Sequence, residues 1–372
     1  MYALTNTFLQ MFLLQALFLL EPTLSFRSQT VRLHCYSSYF RISNGRSFHF
    51  HFHCNYSAKK NRLPLHSITS RGGEEHNPKL SKDDGLLLLP DDALLDKILQ
   101  VALEASAKAA SIIAKHSDGS AVIETKSTSR DLLTMIDPQC EEAIRETITK
   151  AFPDHNILGE EGVEPGIEAA KAALEEALVA PGGGFLWIVD PIDGTTNFAS
   201  GIPFNAPSVA VAYQGEIIVG VIHDPHRHEI WTAVKGRGAV LNGEPLKIDA
   251  SSPTSIQDAV IGAESPAGQK SLEVAVKGIQ ALMPKCRTIR ILGSTAVKMP
   301  WVAKGRLTCY WSPDECAWDH AAGAIIVQEA GGVITDLDGS PFTLRTRKFL
   351  VSQNEQVHKE VLQVLKNDAG VY

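Results

Sequence analysis

One stretch constrains this chain more than any other: Trp187-Ile188-Val189-Asp190-Pro191-Ile192-Asp193-Gly194-Thr195-Thr196-Asn197-Phe198. An apolar run leads into two carboxylates three positions apart, then into a Gly-Thr-Thr step of small, hydroxyl-bearing residues. That order reads as a buried strand that stops abruptly and presents acids and backbone N–H groups at its carboxyl end. Paired hard oxygen ligands beside a phosphate cradle suit metal-assisted phosphate chemistry. Taken alone, Asp-x-x-Asp-Gly is more often a plain turn. The remainder of the chain has to decide between the two.

The 372 residues exceed the usual size of one domain, so the length suggests roughly two. Residues 1–73 differ from the rest: they hold eight Lys or Arg and one acid, Glu21, with frequent Ser and His. A basic, Ser-rich, acid-poor leader has the composition of an organelle transit peptide, and no fold is expected of it. The apolar run from Phe8 to Leu20 leaves a secretory signal as the competing reading. It is short for a membrane span, no positive charge precedes it, and it lacks a clean small-residue cleavage site.

The whole chain carries a net charge of −7, and residues 74–372, with 41 acids and 27 bases, carry −14. Such a chain is a poor nucleic-acid binder, because phosphate backbones need a positive patch. An acidic protein acting on a phosphate needs intervening cations. Of the six Cys, four lie beyond the leader (Cys140, Cys286, Cys309 and Cys316) and none has metal-ligand spacing. Buried free thiols are expected, with a redox role for Cys309 or Cys316 left open.

Along the mature chain, Asp91 to His116 has the apolar period of a helix. Asp137-Pro138 predicts an N-cap and the first residue of a second helix. Asn156 to Gly159 reads as a short strand delivering Glu160, and residues 167–179 as a helix. Strands at 208–213 and 216–223 are joined by Gln214-Gly215, and Asn242-Gly243 marks another hairpin turn. Beyond a turn-like Ser-Pro stretch near 250–257, strands and helices alternate: helices at 270–282, 294–303, 318–330 and 355–365, strands at 258–262, 288–291, 307–311 and 349–352. Antiparallel strands in the middle with helices at both ends predict α+β layers and not a doubly wound parallel sheet. The expected organisation is a leader at 1–73, an α+β half at 74–250 carrying the metal site, and an α/β half at 251–372 completing it.

Glu160, the Asp190–Asp193 pair and Asp319 each follow or begin an ordered element. Singly, Glu160 reads as a solvated loop acid and Asp319 as a helix cap. Together, four carboxylates on one pocket would repel unless they bound cations or protons. A set of oxygens without His or Cys favours Mg²⁺ or Mn²⁺ over Zn²⁺.

Gly159-Glu160-Glu161, the segment Trp187–Phe198, and Trp318-Asp319-His320-Ala321-Ala322-Gly323 continuing to Glu329-Ala330-Gly331-Gly332 resemble the signature motifs of the inositol monophosphatase family. The resemblance runs from about Ile98 to the C-terminus. With the basic leader, the chain is most similar to plastid-targeted plant members. The resemblance implies a layered αβαβα sandwich of the sugar-phosphatase type and hydrolysis of myo-inositol monophosphate with two or three Mg²⁺ ions. It implies that Glu160, Asp190 and the Ile192 carbonyl hold the first ion, that Asp190, Asp193 and Asp319 hold the second, and that Glu160 holds a weaker third. Gly194 and Thr195 would receive the phosphate. Thr195 with Asp137 would position and deprotonate the attacking water. Lys126 and Asp131 would belong to a loop that closes the site. A homodimer in the plastid stroma, free of nucleic acid and membrane, is the expected setting.

One position departs from the family pattern. An acid that grips the sugar hydroxyls is expected seven residues before Asp319, and here that residue is Ser312. A serine still hydrogen-bonds but is not a charged acceptor, and Asp314 or Glu315 would replace it if the loop bends differently. Ser312 is thus the expected contact to the alcohol side, and Asp193 and Asp319 join Gly194 and Thr195 as expected substrate contacts. Other alcohol phosphates, such as L-galactose 1-phosphate or histidinol phosphate, are the nearest alternatives. A non-catalytic metal-binding regulator on the same scaffold is the more distant one.

Overall fold

In the computed structural model of the chain, residues 89–118, 123–125, 132–249 and 251–371 are described, and all of them belong to one contact unit. The expected leader, Lys126 and Asp131 lie outside the described residues. Among the described residues, no helix is long and apolar enough to cross a membrane.

The helices are α1 (Asp92–Lys115), α2 (Ile136–Ala151), α3 (Ile167–Val179), α4 (Thr195–Ala199), α5 (Gln269–Leu282), α6 (Thr295–Ala303), α7 (Ala317–Glu329) and α8 (Glu355–Asn367). A small hairpin, β1 (Ile123–Thr125) with β2 (Leu132–Thr134), is antiparallel. A seven-stranded sheet runs in chain order through β3 (Asn156–Gly159), β4 (Phe185–Asp193), β5 (Ala206–Tyr213), β6 (Glu216–Asp224), β7 (Glu229–Val234), β8 (Gly238–Leu241) and β9 (Glu244–Leu246). Only β3 and β4 are parallel in it. The second sheet draws on β10 (Val260–Ala263), β11 (Thr288–Ile291), β12 (Cys309–Ser312), β13 (Val333–Asp336) and β14 (Phe349–Ser352), ordered β11-β10-β12-β14-β13. Both sheets are mixed, as the α+β reading requires. The chain passes from one to the other between Leu246 and Val260.

The period-2 alternation of side chains sorts the layers. Val209 and Val211 of β5 face α1 and α2, with Ile98, Ala105 and Ile144. Ala210 and Ala212 face the opposite way, against α6, α7 and the inner face of the second sheet. The outer face of that sheet, Ile261, Trp311 and Leu350, is covered by Leu282 of α5 and Val361 of α8. The result is five layers, αβαβα.

Helix α7 lies between two sheets and is buried around most of its circumference, so its sequence shows no polar stripe. Small residues let it approach. A Cβ on Gly220 of β6 would lie 2.5 Å from Ile325 and 2.7 Å from the Ala322 carbonyl, and one on Gly323 would lie 2.6 Å from Met299. The hairpin signals correspond to left-handed turns at Gln214-Gly215 (φ 52° and 83°) and Asn242-Gly243 (φ 51° and 84°), which match the strand twist.

Helix α1 opens on Asp91, whose Oδ1 accepts from the Leu94 N–H at 2.8 Å. Asp137 does not cap α2. The helix begins two residues earlier than that reading, at Ile136 after Met135, and Asp137 is buried in its first turn, where Oδ2 accepts from Thr134 N (3.0 Å) and Thr134 Oγ1 (2.5 Å). Strand β13 carries no strong alternation and is not legible in the sequence. Cys140, Cys286, Cys309 and Cys316 are free thiols, and burial pushes each of them up.

Candidate active site

Residues three apart on a regular strand point to opposite faces. In β4, Asp190 pairs with Ser208 while Asp193 pairs with Ala206, so β4 contains one residue more than β5 over that interval. The bulge turns the second acid back toward the first. Asp319, in the first turn of α7, completes the group: one carboxylate oxygen from each of Asp190, Asp193 and Asp319 lies within 4.8 Å of the others. Ser208 Oγ, donating to the Trp318 carbonyl at 3.1 Å, ties α7 to the strand beside β4. Asp319 also serves as a cap, since its Oδ2 accepts from the Cys316 N–H at 2.6 Å. The capping and ligand readings of Asp319 are thus compatible.

Asp193 is held by the start of α6. Its Oδ2 accepts from Ser294 Oγ and from the Ala296 N–H, both at 2.5 Å. Burial still raises the Asp193 carboxyl to about 8, with Glu315 adding to the rise. Asp319 is pushed well above the ordinary carboxylate range by burial first, then by Glu315, Asp193 and Glu160. The acids crowd one another in a dry place, which is the condition that recruits a proton or a cation.

Glu160 follows β3 on a single 3-10 turn, Glu160–Gly162. Glu141 of α2 pins that turn by accepting from the Glu161 N–H at 2.9 Å while pairing with Arg145 at 2.7 Å. Gly159 makes room for this, since a Cβ there would lie 2.5 Å from the Glu141 carboxylate. Glu160 lines the same cavity as Asp193 and Asp319 but is not in the tight group of three.

Gly194 leaves β4 with φ 92°, a conformation that favours glycine. Thr195 Oγ1 then lies 3.1 Å from the Ile192 carbonyl and 3.4 Å from Asp137 Oδ1. Ile192, expected at a cation through its carbonyl, therefore also receives the Thr195 hydroxyl, and its own N–H donates to Asp190 Oδ1 at 3.0 Å.

These elements enclose a cavity of about 370 Å³. A wider depression of about 650 Å³ near Lys285 and Glu360 lacks any such convergence of acids. The far wall of the acidic cavity includes Glu264, Thr295 and Glu315. Behind it, fully buried Lys298 pairs with Glu264 and lies 4.1 Å from the Tyr310 ring centre. Ser312, expected to face the alcohol, is fully buried and does not line the cavity; its hydroxyl donates to Glu315 Oε1 at 2.9 Å. Asp314 is engaged by Arg347 and Ser271, each at 2.8 Å. Ser294 and Thr134 are contributors that sequence reasoning did not single out as site residues, and Glu315 entered it only as a replacement for Ser312. Only Ser294 had a signal, as a serine opening a helix.

Residues 94–368 match the model of the inositol monophosphatase family. The chain is 37% identical over 257 residues to inositol monophosphatase 3 of Solanum lycopersicum, covering 68% of this chain and 91% of that one. It is 35% identical over 275 residues to Nus factor SuhB of Pasteurella multocida, covering 73% and 97%. Among solved structures, an IMPase of Thermotoga maritima superposes with a TM-score of 0.63 at 32% identity, covering 75% of this chain and 98% of that one. The chain belongs to the inositol monophosphatase family, and its enzyme class is that of a phosphatase.

Proposed function

We propose that this chain is a Mg²⁺-dependent phosphomonoesterase that hydrolyses myo-inositol monophosphate to inositol and phosphate. The observation that carries the reading is the convergence of Asp190, Asp193 and Asp319 within 4.8 Å. The donor set fits hard divalent cations: all three offer carboxylate oxygen, no His or Cys joins them among the described residues, and burial first, then neighbouring acids, raises Asp193 and Asp319. Asp190, Asp193, Asp319 and the Ile192 carbonyl, with Glu160 nearby, would hold two or three ions. The ions would supply Lewis-acid polarisation of the phosphoryl group and neutralise the acids, reversing the local charge that otherwise repels an anion.

The chain's own groups do the rest. The N–H groups of Gly194 and Thr195 receive phosphate oxygens. Thr195 Oγ1 accepts a proton from the attacking water while passing its own to Asp137 Oδ1, 3.4 Å away. Asp137 is suited to that role because Thr134 fixes its other oxygen. Its burial excludes competing water. A chain with this proton path has more than a scaffolding role, which favours catalysis over the regulator suggested by the Nus factor name of some relatives.

The acidic charge of residues 74–372 argues against nucleic acid as a partner. The basic leader supports plastid import, and family likeness supports a homodimer. The test is phosphate release by the purified chain over myo-inositol 1-phosphate, L-galactose 1-phosphate and histidinol phosphate, with Mg²⁺ and with chelator. Turnover of the inositol ester that vanishes in chelator and in Asp193→Asn and Asp319→Asn is expected. Equal turnover in chelator would sink the reading.

A further inference from the structure

Lys298 is a buried charge that the phosphate chemistry leaves unused. It is the only buried Lys or Arg among the described residues. Helix α6 places it. Ser294 and Ala296, at the start of that helix, hold Asp193 through Oδ2. Thr295 lines the cavity, and Lys298 follows three positions later on the same side of the helix, behind the wall. Its ammonium pairs with Oε2 of Glu264 and donates to the Ala263 carbonyl at 3.5 Å. Glu264 is held on its other oxygen as well, since Oε1 accepts from the Ser265 N–H at 3.0 Å. The Tyr310 hydroxyl lies 3.3 Å from Oε2 of Glu264 and 3.2 Å from Oε1 of Glu315.

One hydroxyl thus sits between two carboxylates that line the same cavity as Asp193 and Asp319. Buried acids this close draw a proton or a hard cation unless a fixed positive charge stands beside them. Lys298 is that charge. It works against the rise that burial imposes on both Asp193 and Glu315. Arg347, the one Lys, Arg or His lining the cavity among the described residues, is already paired with Asp314. Burying an ammonium is costly, and a buried ion pair adds little stability over a neutral pair of the same shape. Packing alone therefore does not account for a lysine at this place.

We infer that Lys298 is a positioning residue for the catalytic cations: as the resident counter-ion of Glu264 and Glu315, it keeps that wall from binding a divalent ion of its own and so confines the ions to Asp190, Asp193 and Asp319. This rests on the hard-cation reading of the three aspartates. Lys298 touches neither substrate nor metal and acts through Glu264. Removing its charge turns the wall into a competing cation site. Removing only the charge of Glu264 leaves an unmatched ammonium beside the cluster, which repels divalent ions.

The experiment counts Mn²⁺ bound to the full-length chain, from the paramagnetic signal of the free ion, in the wild type, Lys298→Met, Glu264→Gln and the double variant. Thermal unfolding in chelator checks that each one folds. Lys298→Met binds one ion more per chain than the wild type. Glu264→Gln keeps the wild-type count and binds about tenfold more weakly, the order expected of one added unit charge near a divalent ion. The double variant has the wild-type net charge and recovers both the count and the affinity. It leaves no unpaired buried ion, so it folds even where Lys298→Met does not. A merely structural ion pair would move the thermal midpoint and leave count and affinity alone. Wild-type affinity in Glu264→Gln overturns the proposal, as does a wild-type count in folded Lys298→Met or a double variant that departs from the wild type in either quantity. A wild-type chain that binds no Mn²⁺ overturns the hard-cation reading and this proposal together, a result distinct from a changed count.

Discussion

The hydroxyl of Ser294 donates to Oδ2 of Asp193 at 2.5 Å, across 101 positions of sequence. Ser294 is also the N-cap of α6, accepting from the Val297 N–H at 3.3 Å. One residue therefore starts the helix between the sheets and aims the acid at the end of β4.

Ser294→Ala leaves Asp193 with the Ala296 N–H but without the hydroxyl that fixes its rotation. Removing such support behind a ligand typically costs about 10–100-fold in metal affinity or activity. A Mg²⁺ titration of phosphate release should shift to higher concentration by a factor in that range. An unshifted titration would show that α6 does not aim the ligand.

Removing cations exposes the cost of the clustered acids. Burial raises Asp193 to about 8, while in an unfolded chain it ionises near about 4. Between those values the native state holds a proton that the unfolded state has released. The stability this confers at low pH is lost as pH climbs toward about 8. In chelator, the thermal midpoint should fall from about pH 5 to about pH 8, and Mg²⁺ should raise it more at the upper end by binding only the native state. Asp193→Asn should flatten the chelator curve. A midpoint that rises with pH in chelator contradicts this account.

His358 gives the opposite pH dependence. Its ring is buried between Thr335 Oγ1 (2.9 Å) and Ser352 Oγ (3.1 Å), and burial lowers its pKa from 6.5 to about 4. The neutral ring contributes stability that is fully present above about 6.5 and is lost as pH falls through about 4. The loss is about 3 kcal/mol. Urea denaturation across this range should show it, and His358→Gln should remove most of the slope.

Gly220→Ala tests the closeness of the central layer. The added methyl meets Ile325 at 2.5 Å and the Ala322 carbonyl at 2.7 Å, so α7 must shift from the first sheet. Overpacking of this kind costs about 1–3 kcal/mol. Because α7 carries Asp319, activity should fall along with the thermal midpoint, whereas Gly215→Ala, at an exposed turn with open space around it, should lower the midpoint without moving the site.

Helices with one apolar face, such as α1, and hairpins with Asn-Gly or Gln-Gly turns were legible because the signal lies within a few residues. So were the acids themselves, since Glu160, Asp190, Asp193 and Asp319 all follow or open recognisable elements. The bulge in β4 was not legible, because it is defined by the register of β5. Strand β13 was missed because it stands at a sheet edge with little alternation. Asp137 looked like a cap in sequence, and its true partner, Thr134, is set by how the preceding hairpin meets α2.

The sequence by itself determined the layer class, the family and the acids that suit hard cations, because periodicity and short motifs are local properties. The tertiary structure decided which acids converge and which side chains line the cavity. Ser312 occupies the position where the alcohol contact was expected, yet the fold buries it and directs its hydroxyl to Glu315. That outcome depends on β12, α6 and the cavity meeting at one place, and long-range packing of this kind leaves no mark at a single position.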